Sequence, residues 1–353
     1  MSVPADIVAG ADLADSRGMG DAASFVLDLL ERPAAEIRVA EGQLGLLDDV
    51  VVAGHPDAFR LTPLSPIDPG TVWAIDGGSC VLADGRSFQV AASRAARVRF
   101  SEGVTDLVEA PPLTVRAVST DEMRGLYRST LERMACDVPT EVPERLRPVD
   151  FLRECAEWEE TSRTIAQAAP GDLVLVDGSL HGGPFVPGEY VRRVHGEAVE
   201  RGVALAGVVK ASTLFWGRNA PLVGLLKRRS DRELGSVPWF ARISTDPTFA
   251  RLYVGEIFVA HLAPTATHAF RVDLAGGVGR AEDVLARLAG CSDDAAFVGY
   301  PYPLARAHRA ARVSGYAVAD LRRTFRGELA RLGMAEDDIE TLFQDFHEVL
   351  NRS

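Results

Sequence analysis

Two apolar runs in this chain end on an aspartate followed at once by glycine: TVWAIDGGSC, residues 71–80, and LVLVDGSLHGGP, residues 173–184. A short apolar run bounded in this way reads as a buried strand. A carboxylate at its end must be compensated by donors or cations, because an ion taken out of water is costly. The glycine behind it removes a side chain, so a ligand or a second backbone can come close. Strand tips are also where open α/β sheets present their sites. If the two strands are sheet neighbours, Asp76 and Asp177 lie side by side and repel each other unless a divalent cation lies between them; hard oxygen ligands suit Mg2+ or Mn2+. The plainer alternative is two turns, each aspartate capping the backbone N–H groups that follow it.

The surrounding pattern supplies a frame. Thr71–Asp76 reads as a strand, VLADGRSFQVAAS as a hairpin turning at Asp84-Gly85, and ARVRF and LTVRAVS as further strands, so Asp76 leads into an antiparallel meander. From Asp121 to about Ala168 the pattern is helical, interrupted at the proline-rich DVPTEVPERLRP. Strand LVLVD, helix EYVRRVHGEAVERG and strand VALAGVVK follow, and this unit needs a parallel sheet. Residues 222–259 read as Arg-rich loops ending in the strand RLYVGEIFVAHL. HAFRVDL is a strand, AEDVLARLAG a helix, and FVGYPYPLARAHRAARVSG runs from a short strand through a double-proline turn into a helix. The expected class is α/β, a mixed sheet with flanking helices. The expected layout is a loose leader over 1–20, a helical segment over 21–56 (periodic from Ala22 to Val52), a core domain over 57–316 and a helical tail over 317–353.

Composition narrows the setting. With 47% hydrophobic and 25% charged residues the 353-residue chain is of ordinary globular type. No apolar run is long enough to cross a bilayer, and the N-terminal stretch lacks a basic segment followed by an apolar one. Cys80, Cys136, Cys155 and Cys291 form no CxxC pair, which points to a reduced, cytoplasmic protein without structural zinc. A net charge of −12 argues against a general nucleic-acid coat. It leaves room for a local basic groove, and basic residues cluster at Lys227–Arg229, at Arg306, Arg309 and Arg312, and at Arg322, Arg323 and Arg326. Lys210 and Lys227 are the two lysines in an arginine-rich chain; Lys210, in VALAGVVKAS, marks a place for a compact ammonium rather than a planar fork.

Further ligands would come from the acidic helix before LVLVD. Glu154 and Glu157 are three residues apart and share a face, whereas Glu159 and Glu160 read as solvated. In GYPYPLARAH, His308 and Arg312 are four apart on a helix entered through Tyr300 and Tyr302. An imidazole there can serve as general acid, phosphate clamp or metal ligand. His181, in DGSLHGGP, is a weaker candidate.

Taken as an ordered set, IDGGS, RECAEW, VDGSL, GVVKAS and GYPYPLARAH resemble the NurA nuclease family over roughly Val72 to Gly315. The resemblance implies a ribonuclease H-like core, Mn2+ as cofactor (Mg2+ the alternative), degradation of DNA ends, a homodimer, and partnership with a hexameric HerA-type DNA-translocating ATPase in repair or defence. It places the family's aspartates on Asp76 and Asp177, its histidine on His308, its tyrosine on Tyr300 with Tyr302 the alternative, and its glutamate on Glu157 with Glu154 close behind. Asp76, Glu157, Asp177 and His308 would hold metal. Two ions about 3.5–4 Å apart would act on the scissile phosphate, with Lys210 and His308 meeting its charge. The family reads Asp-Gly-Ser at the first motif and this chain Asp-Gly-Gly-Ser, which puts the role of Ser79 in question. Two other readings stand beside this one. AIDGGS also resembles the phosphate-binding loop of actin-like sugar kinases, with Gly276-Gly277 as a candidate adenosine contact. An inactive adaptor of the same fold is the third.

Overall fold

The strand that carries Asp76 does not stop there. The computed structural model describes residues 55–84, 88–137, 146–181, 185–212, 214–216, 220–244, 255–277 and 279–343; the helix expected over Ala22–Val52 lies outside them. After a two-residue strand β1 (Thr62–Pro63), strand β2 spans Val72–Asp84 and pairs antiparallel with β3 (Phe88–Ser101) from Val72↔Phe100 to Asp84↔Gln89. The glycines after Asp76 are therefore strand residues, Gly77 opposite Ala95 and Gly78 opposite Arg94. The β3 partner continues past the apolar run, and its backbone groups hold the glycines in the ladder although they bring no packing of their own.

Strands β4 (Val104–Glu109) and β5 (Thr114–Ser119) both lie antiparallel to β3, β4 along its second half and β5 along its first. The sequence reading missed β4. Its turn is Glu102-Gly103, both at positive φ (52° and 79°), a primed-type hairpin reversal that the Ser-Glu-Gly spelling conceals. Helix α1 (Thr120–Arg133) opens on a capping box between Ser119 and Glu122. Helix α2 (Pro148–Gln167) leads into β6 (Leu173–Asp177), α3 (Gly188–Glu200) and β7 (Ala204–Val209).

A separate ribbon of β8 (Phe215–Trp216) and β9 (Ala220–Pro221) precedes α4 (Leu222–Glu233). The region read as Arg-rich loops is thus partly helical, because Leu222 and Leu226 are buried on one face while Lys227 and Arg229 pair at i,i+4 with Asp231 and Glu233. Strands β10 (Trp239–Ile243), β11 (Glu256–His261) and β12 (Phe270–Leu274) follow, then α5 (Ala281–Gly290), α6 (Tyr302–Ala311), α7 (Gly315–Arg331) and α8 (Glu336–Phe343). The strand expected at FVG is absent; those residues form turns, closed by Gly299 N–H to Ser292 O and Tyr300 N–H to Phe297 O.

The main sheet runs β1-β10-β11-β12-β7-β6-β2-β3-β4. Its centre, an antiparallel meander with β6 laid parallel beside β2 and β7 parallel beside β6, is the ribonuclease H-like arrangement. Both faces are covered. Val72, Ala74, Leu173 and Leu175 pack toward α5 and α6. Trp73, Ile75, Val174 and Val176 pack toward α1, α2 and α3. The cover explains one reversed expectation: Glu160, read as solvated, is buried between Arg97 and Arg163 because α2 lies against β3. The four cysteines are free, and among the described residues no helix is long and apolar enough to cross a membrane.

Leu175, fully buried on the central parallel strand, gauges this core. Leu175→Ala should lower unfolding stability by ~2–5 kcal/mol, a transfer loss plus a residual cavity. Val104→Ala, on the exposed side of β4, should stay within ~0.5 kcal/mol. Urea unfolding followed by fluorescence measures both; equal effects would contradict the placement of β6 at the centre.

Candidate active site

Parallel pairing sets the site. Ala74 faces Leu175 and Ile75 faces Val176 across β2 and β6, so the next residues on the two strands, Asp76 and Asp177, stand side by side. Alternation along each strand turns both toward the α6 layer, as it does Ala74 and Leu175. There His308, on α6, brings its Nδ1 to 2.6 Å from Asp76 Oδ2. One ligand atom from each of Asp76, Asp177 and His308 lies within 4.8 Å of the others. Lys210, just beyond β7, makes a short contact to Asp177 Oδ2, and its ammonium sits 5.2 Å from the centroid of the Tyr300 ring.

The two glycines after Asp76 admit helices from opposite faces. A Cβ on Gly77 would lie 2.9 Å from Arg153 Cγ and 3.0 Å from Glu157 Oε2, both on α2. A Cβ on Gly78 would overlap the carbonyl of Ala311 at the end of α6. The extra glycine of Asp-Gly-Gly-Ser is thus the place where α6 rests its last turn on β2, one turn after His308. Arg94, opposite Gly78 in the ladder, donates Nε to Ala311 O (3.1 Å) and Nη2 to Arg312 O (3.2 Å). A cation on the last carbonyls is the favoured partner of a helix C-terminus. Pro301 and Pro303 fit the start of α6, where no intrahelical N–H is required.

The candidates separate cleanly. Glu157 is buried, its carboxylate bonded to Arg153 Nη1 at 3.0 Å and close enough to feel Asp76 and Asp177. Glu154 instead accepts the backbone N–H of Val186 at 3.3 Å. Tyr300 packs against Phe270 at 5.5 Å, with its hydroxyl buried beside the carboxylates. Tyr302 turns into the core against Phe100 at 5.9 Å. His181 is buried in the turn after Asp177, outside the Asp76–Asp177–His308 cluster. Of the basic clusters noted in the sequence, Arg312 reaches the site: it lines a cavity of about 440 Å3 with Asp76, Asp177, Ser79, Arg153, Lys210 and His308. Arg153 and Arg94 escaped the sequence reading. The i,i+4 spacing of Arg153 and Glu157 could have exposed the first; the second needs the fold.

Electrostatics follows from the crowding. Burial first, then the neighbouring Asp177 charge, pushes Asp76 up to about 6, against the pull of His308 and Lys210. Burial likewise lifts Glu157 well above the carboxylate range, opposed chiefly by Arg153. Burial, then Asp177 and Asp76, push the Tyr300 phenol upward and keep it protonated. Two hard carboxylate oxygens and an imidazole nitrogen within reach of one another, with Asp76 raised by its burial and by the neighbouring Asp177 charge, make a donor set that fits a divalent cation.

A family model for the NurA domain matches residues 70–234. The fold is similar to the crystal structure of the NurA nuclease from Sulfolobus solfataricus, with 16% identity, a TM-score of 0.48, and coverage of 77% of this chain and 88% of that one. It is also similar to the catalytic domain of human endonuclease V (14% identity, TM-score 0.34, covering 90% and 99%). A third likeness is to endonuclease V of Ciona intestinalis in complex with an inosine-containing 23mer DNA (12% identity, TM-score 0.38, covering 88% and 100%). No curated protein matches the chain.

Two outcomes test this geometry. Gly78→Ala should drive α6 off β2 and separate His308 from Asp76, and its affinity for Mn2+ measured by calorimetry should fall further than that of Gly77→Ala, whose new methyl meets movable side-chain atoms. Equal affinities would contradict the close approach. The second outcome concerns Asp76. Its folded value of about 6 lies above the ordinary 3.8, so the fold holds that proton more tightly than the unfolded chain. Stability from this group is therefore full below about 4 and is lost as pH rises through about 6. In chelator, the advantage of Asp76→Asn over the parent in unfolding free energy, read from urea melts, should grow across that window, toward a ceiling of about 3 kcal/mol at neutral pH. An advantage that stays flat with pH would contradict the crowding.

Proposed function

Starting from a chain that belongs to the NurA family, we propose that it is a divalent-metal-dependent deoxyribonuclease that uses Mn2+ to hydrolyse phosphodiester bonds at DNA ends. The observation that carries this reading is the convergence of Asp76, within β2, with Asp177, at the end of the parallel neighbour β6, and His308, inside the matched domain or packed on it. Asp76, Asp177 and His308 would hold the cation, and Glu157, held beside them by Arg153, would complete the acidic set. When bound, such an ion supplies Lewis acidity and an activated water.

The chain's own residues do the remainder. Lys210, Arg153 and Arg312 face the cavity beside the acids and offer an anionic backbone opposing charge, charge-assisted and in part bidentate. Lys210 answers the Asp177 carboxylate on one side and is presented to the cavity on the other, consistent with an ammonium retained in an arginine-rich chain. Tyr300, kept protonated, is a hydrogen-bond donor rather than a base. His308 is held by Asp76 in one orientation and can carry a proton at its ring nitrogens. A HerA-type hexameric ATPase partner, a homodimeric state and a cytoplasmic setting complete the proposal; family membership is their support.

The kinase-like reading required residues 76–79 to wrap a phosphate as a loop. They are instead paired residue by residue with β3, and the space over Gly78 is filled by α6. The adaptor reading would be favoured by a broken acidic set; the proximity of Asp76, Asp177 and His308 supports the enzyme instead.

Asp76→Ala and Asp177→Ala should each lower Mn2+-dependent degradation of linear DNA by more than ~100-fold, beyond the 10–100-fold effect of losing an outer-shell partner. A gel assay with linear single- and double-stranded DNA reads it. Full activity in both variants would sink the assignment.

A further inference from the structure

The strand HAFRVDL alternates apolar and charged residues, a pattern usually reserved for a sheet with one face in water. Here neither face is in water. Arg271 and Asp273 on β12 are both buried, with side chains 1% and 5% exposed, and they form a two-bond pair: Nε to Oδ1 at 2.7 Å and Nη2 to Oδ2 at 2.8 Å. Asp273 Oδ2 also accepts the backbone N–H of Leu180 at 3.1 Å. Leu180 is three residues beyond Asp177.

The turn that follows Asp177 is pinned at two more points. Gly178, at φ +138°, donates its N–H to Val208 O at 3.1 Å. Its carbonyl lies over Gly207 of β7, where a Cβ would overlap it. Gly207 is also the residue that faces Asp273 in the ladder. The missing side chain at Gly207 therefore opens the path by which the turn crosses β7 and reaches a carboxylate on β12.

A buried ion pair is a poor way to gain stability, since an apolar pair of similar volume is often neutral or better. What an apolar pair cannot do is accept the Leu180 N–H. We infer that the Arg271–Asp273 pair is a positioning device: Arg271 fixes the Asp273 carboxylate, Asp273 fixes the Asp177–Leu180 turn, and the turn fixes where the Asp177 oxygens stand relative to Asp76. Its consequence is the affinity of the carboxylate site for a divalent cation. This rests on the reading of Asp76 and Asp177 as metal ligands.

The test is calorimetric titration of the full chain with Mn2+ alone, paired with melting curves. Arg271→Met/Asp273→Leu should keep a melting temperature near the parent's and lose ~10–100-fold in Mn2+ affinity, the usual effect of losing an outer-shell partner. Arg271→Met/Asp273→Asn, which keeps an oxygen for the Leu180 N–H, should return close to the parent affinity. Parent-like affinity in the Leu variant overturns the inference, and so does an Asn variant no better than the Leu one. Should the Leu variant not fold, Gly207→Ala presses on the Gly178 carbonyl and the Leu180 side chain of the same turn; a comparable loss of affinity supports the inference, and parent affinity overturns it. A parent chain that takes up no Mn2+ overturns the metal-site reading itself, and this inference with it.

Discussion

Parallel pairing between β2 and β6 leaves two carboxylates no choice but to be neighbours. Once Ala74 faces Leu175 and Ile75 faces Val176, Asp76 and Asp177 share a face and a depth, under a layer of helix that keeps much of the water away. Their mutual repulsion and burial work against folding, and the surrounding residues are arranged around that fact. Lys210 leans on one carboxylate, His308 on the other, and Arg153 on the third acid, Glu157. Two cations, from α2 and from the end of β7, and an imidazole from α6 are brought to the same few ångströms and compensate a charge cluster that an apolar core would not need.

Small residues make that convergence possible. Gly77 and Gly78 let α2 and α6 close on β2 from opposite faces, and Gly207 lets the turn after Asp177 cross β7. Arg94 then fastens the end of α6, and Asp273 fastens the turn. Each acts on a segment that carries Asp76, Asp177 or His308 rather than on those side chains themselves. The site is therefore held by backbone contacts and buried polar bonds two and three residues removed from the groups that would do chemistry.

Much of this could be seen in the sequence, and the remainder has identifiable reasons for being hidden. Asp76, Asp177 and His308 stood out because a charged group at the end of an apolar run, or a histidine among arginines, departs from the local pattern. The strand–helix–strand unit around LVLVD was equally plain from its periodicity. Residue pattern alone leaves Glu154 beside Glu157 and Tyr300 beside Tyr302, since each pair lies on one segment at similar spacing; the family resemblance prefers Glu157 and Tyr300, and it is the packing that turns these two toward the carboxylates. Arg271 and Asp273 were invisible for a different reason. Their period-two pattern is that of a half-solvated strand, and nothing in HAFRVDL reports that both faces of the sheet are covered. The continuation of β2 through two glycines was likewise decided by its partner β3 and not by residues 77 and 78 themselves.

The arrangement reduces to a spatial claim about one cation. A crystal of the full chain soaked in Mn2+, with anomalous scattering collected at a wavelength sensitive to manganese, examines it without recourse to activity. The proposed site predicts a peak bonded to one oxygen from each of Asp76 and Asp177, with the His308 imidazole at its edge and Lys210 drawn off Asp177. A manganese peak elsewhere, or an unchanged Lys210–Asp177 and His308–Asp76 pairing with no peak between the carboxylates, would contradict it.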